Sequence, residues 1–114
     1  MNAYETTFIL DPELEDEAIE AEIARVEDLI KAHGGEVTEQ QRWGRRKLAY
    51  EIKRRQMGYY VHLKFHAPGS FIDRLHRQFR LNEAVLRYLT ILLEKNIEEK
   101  LEAQGAAAPQ PGEE

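Results

Sequence analysis

An α+β fold is predicted for this 114-residue sequence, because segments with the two-residue period of strands alternate with segments that have the period of helices. The predicted order is strand, helix, strand, strand, helix, strand. This order is the split βαβ arrangement of a ferredoxin-like fold, βαββαβ. Right-handed crossovers place both helices on one face of the sheet, which leaves the other face for solvent or a partner.

The first half of the sequence predicts one strand and one helix. Residues 3–10 are rich in aromatic, β-branched and threonine residues and stop before Pro12, as strands do. An acidic helix is predicted over residues 14–32 and ends at Gly34-Gly35. Its apolar residues recur at steps of four, three and four and form one stripe. The stripe consists of Ile19, Ile23, Val26 and Ile30.

Two strands joined by a hairpin loop are predicted next. The period changes towards two over residues 36–52, and Gly44 within this run indicates a bulge or bend. Residues 54–58 are predicted to form the loop, and residues 59–67 the following strand. On the first of these strands one face carries Leu48, Tyr50 and Ile52; on the second, the apolar face carries Val61, Leu63 and Phe65.

A second helix and a last strand complete the predicted domain. Ser70, with Asp73 three residues later, forms a capping-box-like start for a helix that ends at Asn82. The apolar stripe of this helix is Ile72, Leu75 and Phe79. Residues 85–93 are apolar and rich in Leu and Ile, and we interpret them as a buried strand, although the same composition suits a helix.

Length and composition favour one soluble domain with a short extension. We expect a domain over residues 1–95 and, over residues 96–114, a helical extension with a flexible acidic tail, since residues 94–103 favour helix. The absence of cysteine excludes disulfides and thiolate metal sites. No apolar run approaches the ~20 residues of a membrane span, and the first residues do not resemble a secretory signal, so a cytoplasmic location without membrane contact is expected.

The two signs of charge are separated along the sequence. Residues 1–41 carry a net charge of −10, residues 42–87 carry +9, and residues 88–114 carry −4. The formal net charge of −5 therefore hides a strongly cationic middle. A cationic block on a folded surface creates a local positive field, which is typical of proteins that bind phosphate backbones.

The densest basic segment, residues 43–55, mixes arginine and lysine with aromatic residues. Arginine suits phosphate because its planar guanidinium donates two hydrogen bonds at once, and neighbouring rings can stack on unpaired bases. The alternative is a solvated strand edge whose charges prevent aggregation. The continuing basic excess towards the second helix and last strand favours nucleic-acid binding. The candidate RNA-binding residues are Arg45, Arg46, Lys47, Lys53, Arg54, Arg80, Arg87 and Tyr88.

Other chemistries have little support in the sequence. His62 and His66 have the spacing of a helical metal site, but on a strand four residues span ~13 Å, too far for one ion. Ser70 is the only serine and is interpreted as a helix cap, so no catalytic arrangement is predicted. No glycine-rich phosphate loop is present. We therefore expect neither an enzyme nor a cofactor or metal site.

Three segments together closely resemble bacterial small-subunit ribosomal protein S6, and the likeness covers about residues 1–95. The segments are residues 44–53 (GRRKLAYEIK), 58–60 (GYY) and 81–88 (LNEAVLRY). The resemblance implies a ferredoxin-like fold with a four-stranded antiparallel sheet. It also implies binding to the central domain of small-subunit ribosomal RNA beside ribosomal protein S18. In the family's pattern, one basic segment corresponds to Arg45, Arg46 and Lys47, and a second basic position to Arg80 and Arg87.

The sequence thus predicts a non-catalytic component of the small ribosomal subunit that is a monomer outside the ribosome. Its cationic middle is expected to meet ribosomal RNA phosphates, while an exposed sheet surface meets a partner protein. The alternative is a ferredoxin-like module for protein interaction, oligomerisation or a small ligand, without nucleic acid. In that case the basic face would be covered by an acidic partner surface, such as the first helix of a second copy.

Overall fold

The computed structural model describes residues 1–97 and contains the six predicted elements in the predicted order. The ferredoxin-like α+β fold is therefore confirmed. The elements are β1 (Asn2–Leu10), α1 (Asp16–Ala32), β2 (Glu36–Ile52), β3 (Arg55–Ala67), α2 (Phe71–Leu81) and β4 (Val85–Glu94). The strands form one antiparallel sheet in the order β2-β3-β1-β4, so β2 and β4 are its edges.

The two faces of the sheet differ because alternate residues of each strand point to opposite sides. On β1, Tyr4, Thr6, Phe8 and Leu10 are buried, and all but Thr6 belong to the core shared with both helices. We call this side the helix face. The opposite side, which no helix covers among the described residues, is the open face; it carries Ile9 of β1.

The core lies between the sheet and the two helices. The apolar stripe predicted for α1 is confirmed, because each of its four residues is at most 5% exposed. The apolar face predicted for β3 is fully buried. Phe8 at the centre of the sheet lies 5.1 Å from Phe79 of α2, measured between ring centroids. Burial of these aromatic and aliphatic side chains supplies the main force that holds the helices on the sheet.

The β2–β3 connection is tighter than the predicted loop over residues 54–58. It is a two-residue turn at Lys53 and Arg54, and Ile52 already pairs with Arg55. Both turn residues have positive φ, 50° and 65°, as type I′ hairpin turns require. Such turns usually contain Asn-Gly, so a basic pair gave no sequence signal for this position. The predicted bulge at Gly44 is confirmed by a register shift between Arg42 and Gly44.

The prediction of a strand over residues 85–93 is correct, but its predicted burial is wrong. Only Val85 is buried, whereas Leu89, Ile91 and Leu93 are 62%, 44% and 50% exposed. These three residues alternate with Tyr88, which packs against the core, and they lie on the open face. An apolar composition does not reveal whether a strand is central or at an edge, so the sequence predicted more burial than the fold provides.

Two predicted helix ends also differ from the structure. Ser70 precedes α2, but its side chain makes no capping hydrogen bond; instead the Phe71 N–H donates to the Pro68 carbonyl at 3.0 Å. The predicted helical extension does not begin at Glu94, which is the last residue of β4. Residues 95–97 are not helical, and the remainder of the predicted extension and tail lies outside the described residues.

Gly58 on β3 provides a test of the packing on the open face. A Cβ atom at this position would lie 2.3 Å from Cγ2 of Ile9 and 3.1 Å from Cδ2 of Leu48. Gly58→Ala is therefore expected to lower the free energy of unfolding by about 1–3 kcal/mol, because two buried side chains must shift. Urea denaturation measures this change.

Gly69→Ala is the matched control for Gly58→Ala. Its Cβ would meet only the ends of the Asn2 and Tyr4 side chains, at 3.2 and 3.5 Å. The control is expected to change the free energy of unfolding by less than about 0.5 kcal/mol. Equal effects of the two substitutions would contradict the close packing over Gly58.

Candidate nucleic-acid interface

The fold brings the basic segment of β2 and the beginning of β4 to the same end of the sheet. The β2–β3 hairpin projects past β1, whose pairing with β3 ends at Leu10 and Tyr59. At the hairpin turn, Nζ of Lys53 lies 3.4 Å from the carbonyl oxygen of Val85, at the start of β4. Next to this contact, Arg87 donates a hydrogen bond to the Tyr50 hydroxyl. Two segments that are more than 30 residues apart in sequence therefore form one surface.

Most cations of residues 42–87 have no carboxylate partner within residues 1–97. Three of the twelve form ion pairs, namely Arg42, Arg55 and Lys64. The other nine are exposed and make no such pair with residues 1–97. Six of the nine lie on the hairpin and at the start of β4, and we call them the basic end. The basic end consists of Arg45, Arg46, Lys47, Lys53, Arg54 and Arg87.

Arg45 is held in place by groups that leave its charge uncompensated. Its Nε donates to the carbonyl of Pro12 at 3.0 Å and its Nη2 donates to the carbonyl of Leu14 at 3.1 Å. Its guanidinium carbon also lies 5.5 Å from the centre of the Tyr59 ring. Carbonyls and rings attract a cation without neutralising it, so Arg45 is ordered and still positive.

Arg46 and Arg87 each lie against an aromatic ring. The guanidinium carbon of Arg46 is 5.5 Å from the ring centre of Trp43, and that of Arg87 is 5.5 Å from the ring centre of Tyr50. Trp43 in turn stacks on Tyr60 at 6.3 Å. Such cation and ring pairs combine a charge for phosphate with a flat surface for a base.

The remaining predicted site residues are placed in three different ways. Lys47 and Arg54 are exposed on the hairpin, Lys47 on β2 and Arg54 in the turn. Arg80 is exposed in the last turn of α2, outside the basic end. Tyr88 does not share a surface with Arg87, because consecutive strand residues point to opposite faces; its ring packs 5.1 Å from Phe79. Tyr88 therefore lies on the helix face, apart from the arginines of the basic end, and its contact with RNA stays a prediction.

Sequence reasoning did not single out the three aromatic residues of this surface as site residues. Trp43 and Tyr50 are 37% and 57% exposed, and Tyr60 is half-buried between them and the sheet centre. The sequence did contain evidence for two of them, since Trp43 and Tyr50 lie inside the basic segment. Their orientation became clear only from the bulge at Gly44 and the register of β2 against β3.

The ion-paired cations hold the hairpin against neighbouring elements, and carboxylates balance their positive charges. Arg42 pairs with Glu20 of α1, and Arg55 donates to Asp11 with Nε and Nη2, both at 3.1 Å. The Arg55 guanidinium holds the pKa of Asp11 below its ordinary value. Arg42 thus fixes the hairpin to α1, and Arg55 fixes it to the β1–α1 connection.

The lowered pKa of Asp11 predicts a pH-dependent contribution to stability. Because the pKa is lower in the folded state, the contribution is fully present above the unfolded value of about 3.9 and is lost as pH falls through the folded value. Asp11→Asn is therefore expected to be less stable than the unsubstituted protein at neutral pH. The two proteins should converge in urea midpoint as pH falls below the lowered folded-state pKa of Asp11. A difference that stays constant with pH would contradict a role for the charge.

The described residues give no geometry for a metal site or a membrane span. His62 and His66 lie on β3, as predicted, and His62 is occupied by a 2.8 Å hydrogen bond with the Thr7 hydroxyl and by a stacked Trp43 ring. Residues 1–97 contain no cluster of three side chains suited to holding a metal ion. Neither α1 nor α2, the helices of the described part, has the length and apolarity to cross a membrane.

Comparisons with known proteins agree with this fold. The family described as ribosomal protein S6 matches residues 3–92. The small ribosomal subunit protein bS6 of Christiangramia forsetii is 43% identical over 96 residues, covering 84% of this chain and 86% of that protein. The protein of the same name from Trichormus variabilis is 47% identical over 88 residues, covering 77% and 82%.

A solved structure gives the same result. The 30S ribosomal protein S6 of Thermotoga maritima superposes with a TM-score of 0.77 at 29% identity, covering 94% of this chain and 96% of that one. The fold, the family match and the relatives define the class: this is a structural protein of the small ribosomal subunit. Within that class, the chain belongs to the ribosomal protein S6 family.

Proposed function

We propose that this protein binds the central domain of small-subunit ribosomal RNA beside ribosomal protein S18, as a non-catalytic component of the cytoplasmic ribosome. The observation that carries the proposal is the basic end, where six exposed cations have no carboxylate partner within residues 1–97. A group of this size creates a local positive potential that attracts phosphates, despite the net charge of −5.

The acidic surface of α1 supports the proposal that the protein binds RNA in a single orientation. The exposed surface of α1 is rich in glutamate, and α1 packs on the helix face. Phosphates are repelled from that side and attracted to the basic end. Opposed charges of this kind steer a protein into one approach to a polyanion.

The apolar surface of β4 supports the proposal that a second protein binds to the sheet. Leu89, Ile91 and Leu93 are exposed on the open face of an edge strand. A contiguous exposed apolar patch is a common feature of protein interaction sites. The identity of the neighbour as ribosomal protein S18 rests on the family resemblance.

The same surface also favours the alternative of self-association without RNA. A free strand edge with apolar side chains can pair with a second copy. Sizing chromatography across a hundredfold range of protein concentration distinguishes RNA binding from self-association. A monomer that shifts only when ribosomal RNA is added supports the proposed function, whereas concentration-dependent dimers that ignore RNA support the alternative.

The direct test is binding of the full chain to a central-domain RNA fragment, with and without ribosomal protein S18. Filter binding at increasing salt should show affinity that falls on a log–log plot, by about 0.7–0.9 per neutralised phosphate. Failure to bind the fragment under both conditions would contradict the proposal.

A further inference from the structure

A small cavity lies on the open face, where the hairpin meets the sheet. Its volume is about 180 Å³. Ile9, Tyr60 and Arg87 line it from three neighbouring strands, since Ile9 is paired with Tyr60 on one side and with Arg87 on the other. Leu48 and Tyr50 of the hairpin line it from β2. The cavity is thus built from all four strands of the sheet.

Its shape depends on the packing over Gly58. Because Gly58 has no Cβ, the side chains of Ile9 and Leu48 meet directly above it, and both are buried. Two residues after Leu48 on β2, Tyr50 accepts a hydrogen bond from Arg87. The cavity is smaller than the ~300–1,000 Å³ of pockets for drug-sized ligands, so it suits one planar ring system.

The lining has the chemistry of a site for a nucleobase. Two tyrosine rings provide stacking surfaces, aliphatic side chains provide an apolar floor, and the Arg87 guanidinium provides a cation at the edge. Among residues 1–97 no carboxylate lines the cavity, so its described lining does not repel a phosphate. Trp43, stacked on Tyr60, continues the aromatic surface towards Arg46.

We propose that this cavity binds one unpaired nucleobase of RNA, stacked on Tyr50 and Tyr60, with the adjoining phosphate on Arg87. The site rests on the proposed function, because it adds recognition of a single-stranded nucleotide to phosphate binding at the basic end. Stacking depends on a free base face and not on base sequence. Recognition of an unpaired position is therefore expected, with little preference among the four bases.

The test compares Tyr50→Leu with Tyr50→Phe. Tyr50 is 57% exposed, so neither substitution threatens the fold. The probes are a single-stranded RNA hexamer and a paired RNA duplex of the same length. Tyr50→Leu is expected to weaken binding of the hexamer about five- to tenfold, the lower range for loss of one stacked base, and to change duplex binding less than twofold. Tyr50→Phe keeps the ring and should bind the hexamer within twofold of the unsubstituted protein.

Trp43 is the only tryptophan of the chain, so its fluorescence provides an independent measurement of hexamer binding. Its fluorescence should be quenched by the hexamer in the unsubstituted protein and in Tyr50→Phe, and less so in Tyr50→Leu. Leu81→Ala, exposed at the end of α2 and outside the cavity, is the control and should leave hexamer binding unchanged.

Three results would overturn the site. One is hexamer binding by Tyr50→Leu within twofold of the unsubstituted protein. The second is an equal loss for hexamer and duplex, which would mean that Tyr50 only positions Arg87. The third is unchanged RNA binding with weaker binding of ribosomal protein S18, which would assign the surface to a protein. In each case, an unsubstituted protein that still binds the central-domain fragment leaves the proposed function intact.

Discussion

Replacing Arg45 and Arg46 with alanine is expected to weaken binding of central-domain ribosomal RNA about tenfold and to reduce the salt slope by about 1–2. Both side chains are exposed and neither has a carboxylate partner within residues 1–97. Each is oriented by carbonyls or a ring, so little entropy is lost when it contacts a phosphate. Salt titrations of the filter-binding affinity measure both quantities.

The matched control removes the same number of positive charges from β2 and its neighbour β3. Arg42 and Lys64 lie on β2 and β3, but each is paired with a glutamate. Arg42→Ala with Lys64→Ala should leave the salt slope nearly unchanged, since paired cations release few counterions. Equal losses from both double variants would mean that total charge, and not the basic end, determines binding. Because Arg45 also holds the β1–α1 connection, the single variant Arg46→Ala separates lost RNA contacts from lost stability.

Phe8→Ala is expected to be the most damaging single substitution for stability, at about 3–5 kcal/mol. Phe8 is fully buried at the centre of the sheet, and its ring packs against that of Phe79 of α2. Its removal leaves a cavity in the layer where β1 supports both helices. Urea denaturation of the two proteins gives the change in the free energy of unfolding.

Leu89→Ala on the same sheet is the control for Phe8→Ala. Leu89 is 62% exposed, so its truncation should cost less than about 0.5 kcal/mol. This control also tests the assignment of β4 as an exposed edge, which the sequence did not predict. A loss above about 2 kcal/mol would show that Leu89 is buried in solution.

The sequence predicts the element order because local periodicity reflects which side chains the core must bury. The stripe of α1 and the alternation in β3 are direct consequences of that requirement. The two errors in β4 and the hairpin have a common cause. Neither the position of a strand within a sheet nor the handedness of a two-residue turn changes the local pattern of apolar residues, so both depend on contacts that are distant in sequence.

The candidate site was predictable in composition but not in arrangement. The charge blocks identify which cations could act, and the resemblance of residues 44–53 to the family pattern selects among them. The pairing of Arg42 with α1 and of Arg55 with Asp11 could not be predicted, because it depends on the position of β2 against the helix and of β3 against the β1–α1 connection. The cavity beside Tyr50 depends on Gly58, whose role appears only when three strands are assembled.

We propose that the basic end is the surface that binds RNA. This assignment is tested most directly by hydroxyl-radical cleavage of RNA from iron tethered to the protein. Since the chain has no cysteine, Gln56→Cys places a single iron chelate beside the hairpin turn, and Glu36→Cys places one at the opposite end of β2. Both positions are exposed. Hydroxyl radicals from position 56 should cleave bound central-domain RNA strongly, and those from position 36 weakly or not at all. Strong cleavage from position 36 with none from position 56 would contradict the assignment of the RNA to the basic end.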